Sequence, residues 1–91
     1  MLKKFININN KYGIHARPSS HISEIVNQYK SKVILKYNDN EADASSVMSL
    51  ILLCVEPKTK IELIVDGVDE QEVFIKLVNY LEDELIVADS Q

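Results

Sequence analysis

Hydrophobic and polar residues alternate in three stretches of the chain, and a period of two predicts β-strands. In residues 2–8 the alternation places Ile6 and Ile8 on the same face. In residues 33–37 and 61–65, valine, leucine, isoleucine and tyrosine take every second position. Each stretch therefore predicts a strand that buries one face.

Between these stretches the apolar period lengthens to that of an α-helix. The first helical stripe follows Pro18 and consists of Ile22, Ile25, Val26 and Tyr29. Proline suits the first turn of a helix, where its missing N–H has no helical acceptor to lose. The last helical stripe consists of Val73, Phe74, Leu77, Val78 and Leu81.

Short signals predict the remaining elements. Residues 38–40, Asn-Asp-Asn, predict a tight turn into a short strand that ends near Ala42. Ser46 is a typical N-cap and precedes an apolar helix that extends to about Leu53. Asp69 followed by Glu72 matches the capping box of a helix start.

The predicted order is β-α-β-β-α-β-α, which indicates an α+β fold. We expect an open-faced two-layer sandwich, with a four-stranded antiparallel sheet covered on one face by three helices. We expect residues 1–91 to form a single domain with a polar tail from about residue 88.

Composition and charge exclude several function classes. The net charge of −4 over 91 residues argues against a nucleic-acid-binding domain. No apolar run reaches the roughly 18–20 residues of a membrane span, and we find no targeting signal. Cys54 is the only cysteine, and no His/Cys cluster has zinc spacing. We therefore expect a cytoplasmic, monomeric protein without a metal or cofactor.

The segment 13–18, Gly-Ile-His-Ala-Arg-Pro, carries the candidate chemistry. It places His15 at the start of a helix, where unpaired amides and the helix dipole favour an anion. Neutral imidazole is a competent nucleophile near neutral pH, and Arg17 would contact phosphoryl oxygens. On the residues alone, a single histidine before a helix is more often an ordinary cap or surface side chain.

The same segment resembles the phosphorylation-site signature of HPr, the histidine-containing phosphocarrier family of the bacterial phosphotransferase system. The similarity extends from about residue 5 to residue 85. It implies that His15 is phosphorylated on Nδ1 by phosphorylated enzyme I and that enzyme IIA components are the acceptors. It also implies that Arg17 steadies the phosphoryl group, with backbone amides from Ala16 and Arg17. The protein would then be a covalent carrier rather than a stand-alone enzyme.

A second segment of the resemblance surrounds Ser46, which in part of the family is the target of an HPr kinase/phosphorylase. The alternative for Ser46 is a plain N-cap, and the two roles are compatible. Val47, Met48 and Ile51 are candidates for an apolar docking patch, with burial in the core as the alternative. Ser20, His21 and Glu24 are expected on the exposed side of the first helix and would also face partners; for His21 the alternative is an ordinary surface side chain.

Several residues depart from the family pattern. Ser49 and Cys54 stand where glycines are usual, Ser45 where lysine is common, and Leu52 where serine occurs. Glu24 would oppose an acidic partner. These departures favour a second hypothesis, in which the phosphorylation state of His15 or Ser46 controls a partner kinase or transcription regulator rather than sugar uptake. A purely structural domain with an inert His15 is the third.

Overall fold

The computed structural model describes residues 1–89. Four strands form one antiparallel sheet in the order β1-β4-β2-β3. They are β1 (Leu2–Ile8), β2 (Lys32–Tyr37), β3 (Asn40–Asp43) and β4 (Thr59–Asp66). The predicted strands and the predicted hairpin are confirmed.

The sheet register places the apolar side of each strand on one face. Ile6 lies opposite Ile61 across the β1–β4 pair, and Leu35 lies opposite Leu63 across the β2–β4 pair. All four side chains are almost fully buried, whereas their neighbour Phe5 is exposed on the other face. The period of two in the sequence thus separates the covered face of the sheet from the open one.

The helices pack on the covered face. They are α1 (Ala16–Val26), α2 (Val47–Leu53) and α3 (Glu70–Asn79), followed by a π-helical turn (Tyr80–Glu84) and α4 (Leu85–Asp89). Helix α1 packs against α2 and α3, and α3 against β1 and β4. The predicted α+β sandwich is confirmed, although the last helix is longer than its apolar stripe and passes through a π turn.

One detail of the predicted helices differs. Helix α1 begins at Ala16 and ends at Val26, so Tyr29 of the predicted stripe lies beyond the helix, half-buried against the core. Residues 90 and 91 of the expected polar tail lie outside the described residues. No helix within residues 1–89 is long and apolar enough to cross a membrane.

The predicted capping box at the start of α3 is wrong. Asp69 occupies the N-cap position but its side chain makes no capping hydrogen bond. Its carboxylate instead accepts hydrogen bonds from the backbone amides of Lys30 at 2.8 Å and Ser31 at 2.9 Å. These partners come from the loop before β2, which a pattern of local spacing does not reveal.

Candidate functional site

The loop between β1 and α1 holds His15 against the rest of the fold. Gly13 has a φ of 69°, in the left-handed region that glycine adopts without strain. A Cβ at this position would overlap the carbonyl oxygen of Val55, so only glycine fits. Ile14 donates its amide to the same oxygen at 3.0 Å. The segment before His15 is therefore fixed to the chain that follows α2.

His15 is the N-cap residue of α1 and has an extended backbone, with φ −108° and ψ −164°. Its carbonyl accepts the first intrahelical hydrogen bond, from the amide of Ser19 at 3.0 Å. The amides of Ala16 and Arg17 precede that bond. Both residues are exposed, and the first turn of α1 contains no acidic side chain. The helix start therefore presents a favourable field for an anion.

The imidazole of His15 is half-buried and has a defined orientation. The ring of Tyr12 meets it edge to face, with centroids 5.7 Å apart and an interplanar angle of 88°. The Nε2 atom of His15 is buried. A reactant from solvent therefore does not meet Nε2 in this ring orientation.

A groove begins beside Arg17 and follows the outer side of α1. We name it the α1–π groove, because one wall is α1 and the other is the π turn with α4. It encloses about 740 Å³ and is lined from α1 by Arg17, Ser20, His21 and Glu24. The structure thus brings four of the predicted site residues onto one surface.

Comparison with known proteins identifies the family. The family model PTS-HPr, described as the PTS HPr component phosphorylation site, matches residues 2–83. The chain belongs to the HPr family. It is 40% identical over 81 residues to the phosphocarrier protein HPr of Neisseria meningitidis, covering 89% of this chain and 91% of that protein.

Two further relatives show the range of this family. The HPr-like protein Crh of Bacillus subtilis is 33% identical over 85 residues, covering 93% of this chain and all of that protein. The crystal structure of HPr from Thermoanaerobacter tengcongensis superposes with a TM-score of 0.87 at 28% identity, covering 93% of this chain and 96% of that chain. The fold and the HPr assignment agree.

Ser46, the second candidate site of this HPr-family chain, lies at the N-cap of α2. Its hydroxyl accepts a hydrogen bond from the amide of Ser49 at 3.2 Å, so the predicted capping role is confirmed. The carboxylate of Asp43 lies nearby and accepts from both the hydroxyl and the amide of Ser45, at 2.7 and 2.9 Å. These two hydrogen bonds, the hydroxyl first, hold the pKa of Asp43 below its ordinary value.

Helix α2 divides its apolar residues between the core and the surface. Leu50 and Leu53 are buried, whereas Val47 and Ile51 are half-buried and Met48 is 61% exposed. The alternative that all five are core residues is therefore wrong. The outer side of α2 is an apolar surface on a helix that packs against α1.

Sequence reasoning did not single out several residues at these surfaces. Leu52 is 72% exposed and extends the apolar side of α2, and its departure from serine in the family pattern was the available signal. For Tyr12 the only signal in the sequence was its position three residues before His15. Tyr80, Asp83 and Glu84 line the α1–π groove, and no local pattern pairs them with α1.

Proposed function

We propose that this protein is a cytoplasmic phosphocarrier that accepts a phosphoryl group on Nδ1 of His15 from phosphorylated enzyme I and passes it to an enzyme IIA component. The observation that carries this proposal is the orientation of the imidazole. Nε2 is buried, which supports attack through Nδ1, the other ring nitrogen. The family model that matches residues 2–83 is described as the PTS HPr component phosphorylation site, which supports this role for His15.

The transfer needs no group beyond the two proteins. The lone pair of Nδ1 attacks phosphorus, the bond from phosphorus to the donor atom of enzyme I breaks, and that electron pair stays on the donor. The proton of the neutral ring resides on Nε2. In the second transfer His15 is the leaving group and recovers its lone pair. The activation barrier of phosphoryl transfer depends on the position and charge of the reacting groups. The main contribution of this chain is therefore an imidazole already held in a fixed orientation.

The start of α1 supports the phosphorylated state. Three phosphoryl oxygens on Nδ1 would lie where Ala16 and Arg17 present their amides, at the positive end of the helix dipole. The exposed Arg17 side chain adds a charge-assisted contact of the kind that guanidinium makes with phosphate. Tyr12 covers the ring from the loop side and limits its rotation.

The test is labelling with radioactive phosphoenolpyruvate, magnesium and enzyme I. We expect one phosphoryl group per chain, lost in acid and stable in alkali, as a phosphoramidate should be. The His15→Ala variant keeps His21 as an internal control and is expected to take up no label. Undiminished labelling of His15→Ala would show that another residue carries the phosphoryl group.

A second candidate function is regulation through Ser46, which the similarity to the HPr-like protein Crh favours. Ser46 is half-exposed at a helix start, where an added phosphate is stabilised by the dipole. The neighbouring carboxylate of Asp43 opposes that charge. Incubation with ATP and an HPr kinase/phosphorylase tests this role, because acid-stable label that disappears in Ser46→Ala would establish it. Rapid transfer from His15 to a sugar-specific enzyme IIA, with no label on Ser46, would argue for transport alone.

A further inference from the structure

Tyr12 stands on a loop whose backbone is fixed on both sides of it. Asn10, which is 3% exposed, donates its side-chain amide to the carbonyl oxygen of Gly13 at 2.7 Å. This hydrogen bond closes residues 10–13 into a bend, and the amide of Ile14 then bonds the chain that follows α2. The side chain of Tyr12 is 57% exposed, yet the backbone that carries it is held in place.

Two neighbours contact the ring of Tyr12. The Nζ atom of Lys11 lies over the ring, 5.4 Å from its centroid. The imidazole of His15 meets the same ring at an interplanar angle of 88°, with centroids 5.7 Å apart. An edge-to-face pair and an exposed cation over a ring each favour their own arrangement by roughly two- to tenfold. These contacts therefore restrict the ring of Tyr12 and, through it, the imidazole.

The orientation of the His15 ring decides where its two nitrogens lie. Nε2 is buried in the observed orientation. Rotation about the side-chain bonds of a histidine moves both nitrogens to new places, and its terminal torsion is broad, so the covalent structure does not fix the ring. A half-buried imidazole at a helix start therefore keeps one orientation only if a neighbour holds it. The ring of Tyr12 is such a neighbour.

We propose that Tyr12 is a positioning residue of the phosphoryl transfer: its ring keeps the imidazole of His15 in the orientation that buries Nε2, and phosphorylation is thereby directed to Nδ1. The inference rests on the proposed function for the reaction, and on the Tyr12–His15 contact for the role. Tyr12 exchanges no proton and acts only through the direction in which it holds the imidazole. An exposed tyrosine that merely touched the partner protein would change binding and leave the choice of nitrogen unaltered.

The decisive experiment uses potassium phosphoramidate as the phosphoryl donor. This small molecule has no docking surface, so the ring nitrogen that it phosphorylates reports the orientation of the imidazole alone. The lone pair of that nitrogen attacks phosphorus, and the P–N bond of the donor breaks with release of ammonia. The reference protein and all variants carry His21→Gln, which leaves His15 as the only histidine. Nitrogen and phosphorus NMR distinguishes the Nδ1 product from the Nε2 product.

The variants Tyr12→Ala and Tyr12→Phe separate the ring of Tyr12 from its hydroxyl. We expect Tyr12→Phe and the reference protein to give the same initial ratio of Nδ1 to Nε2 product. In Tyr12→Ala this ratio should fall roughly three- to tenfold, because the edge-to-face contact is lost. An equal ratio in Tyr12→Ala and the reference protein would overturn the inference. So would a ratio in Tyr12→Phe as low as in Tyr12→Ala, since the ring would then not be the group that matters.

The matched control is Phe5→Ala. Phe5 is also an aromatic residue that is mostly exposed, at 63%, and the Nζ atom of Lys60 lies 5.9 Å from its ring centroid. It differs from Tyr12 in its place, because it lies on the open face of the sheet. We expect Phe5→Ala to keep the product ratio within about a factor of two, since separated sites act independently. Thermal unfolding should show that both alanine variants are folded, because each removes a mostly exposed ring.

Transfer from phosphorylated enzyme I separates this inference from the proposed function. At saturating enzyme I, Tyr12→Ala should be phosphorylated roughly three- to tenfold more slowly than the reference protein, and Tyr12→Phe at the same rate. An unchanged saturated rate in Tyr12→Ala, with only a higher half-saturating concentration of enzyme I, would contradict the positioning role. If enzyme I labels neither protein while the phosphoramidate ratio depends on Tyr12 as expected, the phosphocarrier proposal fails and the role of Tyr12 stands. If enzyme I labels His15 but neither measurement depends on Tyr12, the reverse holds.

Discussion

Ile14 donates its amide to the carbonyl oxygen of Val55 at 3.0 Å, and a Cβ on the preceding Gly13 would overlap the same oxygen. The contact anchors the loop that carries His15. We expect Gly13→Ala to lower the free energy of unfolding by about 2–4 kcal/mol, because it adds a left-handed alanine and a steric overlap. It should also slow labelling of His15. Urea unfolding and the labelling rate measure the two effects.

Gly67→Ala is the control for this prediction. A Cβ at Gly67 would come within 2.6 Å of the Cα of Ser31, so this variant should also lose about 1–3 kcal/mol. Gly67 follows β4 at the end of the sheet remote from Ile8 and the His15 loop. Its labelling rate should match wild type below the unfolding transition. Slow labelling in both variants would mean that general destabilisation, rather than the loop anchor, limits the reaction.

The Asp69 carboxylate joins the start of α3 to the loop before β2, and its removal should make stability less dependent on pH. Hydrogen bonds from the Ser31 hydroxyl and then the Lys30 amide lower the pKa of Asp69. Its stabilising contribution is therefore complete above the unfolded-state pKa of about 3.9 and is lost as pH falls through the lower folded-state pKa. Asp69→Asn should be less stable at pH 7, and the difference should shrink below about pH 4.

Urea unfolding of both proteins between pH 2 and pH 7 measures this convergence. Asp39→Asn is the control, because Asp39 is an exposed residue of the β2–β3 turn. It removes one carboxylate without removing a contact between elements. A difference between wild type and Asp69→Asn that stays constant down to the lowest pH would contradict the prediction.

The hydroxyl of Ser46 caps α2, and two substitutions separate capping from charge. Ser46→Ala removes the acceptor for the Ser49 amide and should cost about 1 kcal/mol. Ser46→Asp should remain close to wild type, because aspartate is an equally good cap and its charge suits a helix start. Thermal or urea unfolding distinguishes them. Equal losses in the two variants would show that the cap is unimportant.

Cys54 and Ser49 should respond in opposite directions to replacement by glycine. Cys54 is the C-cap of α2 with a φ of 57°, a left-handed conformation in which a side chain is strained. We expect Cys54→Gly to gain about 1 kcal/mol of stability. Ser49 lies inside α2, so Ser49→Gly should lose a similar amount. Unfolding midpoints test the pair, and a loss in both variants would contradict the argument.

Met48 and Leu50 test the division of α2 between docking and core. Leu50 is fully buried, so Leu50→Ala should cost about 2–5 kcal/mol. Met48 is mostly exposed, so Met48→Ala should leave stability within about 0.5 kcal/mol of wild type. The predicted docking role of the exposed apolar side of α2 implies that Met48→Ala should slow phosphoryl transfer at low protein concentration. Unchanged transfer would remove Met48 from the docking surface.

The period of the apolar residues predicted β1, β2, β4, α1 and α3, whereas turn and cap signals predicted β3 and α2. Alternation separates the two sides of a strand, and a repeat of 3.6 separates the two sides of a helix, whatever packs against them. The segment from Gly13 to Pro18 likewise predicted a histidine at a helix start, because glycine permits an unusual backbone angle before it and proline favours the first turn of a helix. The sequence did not decide which residues of α2 are buried, since a short helix with five apolar positions has no unambiguous inner side.

The sequence alone determined the order of elements, the α+β class and the position of His15 at the N-terminus of α1. These follow from interactions between residues that are close in the chain. Only the tertiary structure decided which partners distant residues take. Asp69 bonds Ser31 across 38 residues, and His21 stacks on Tyr80 from a different helix. The buried Nε2, the exposed Met48 and the α1–π groove also arise from packing. Their physical reason is the same: each depends on which surfaces meet when the helices close over the sheet, and no local period specifies that.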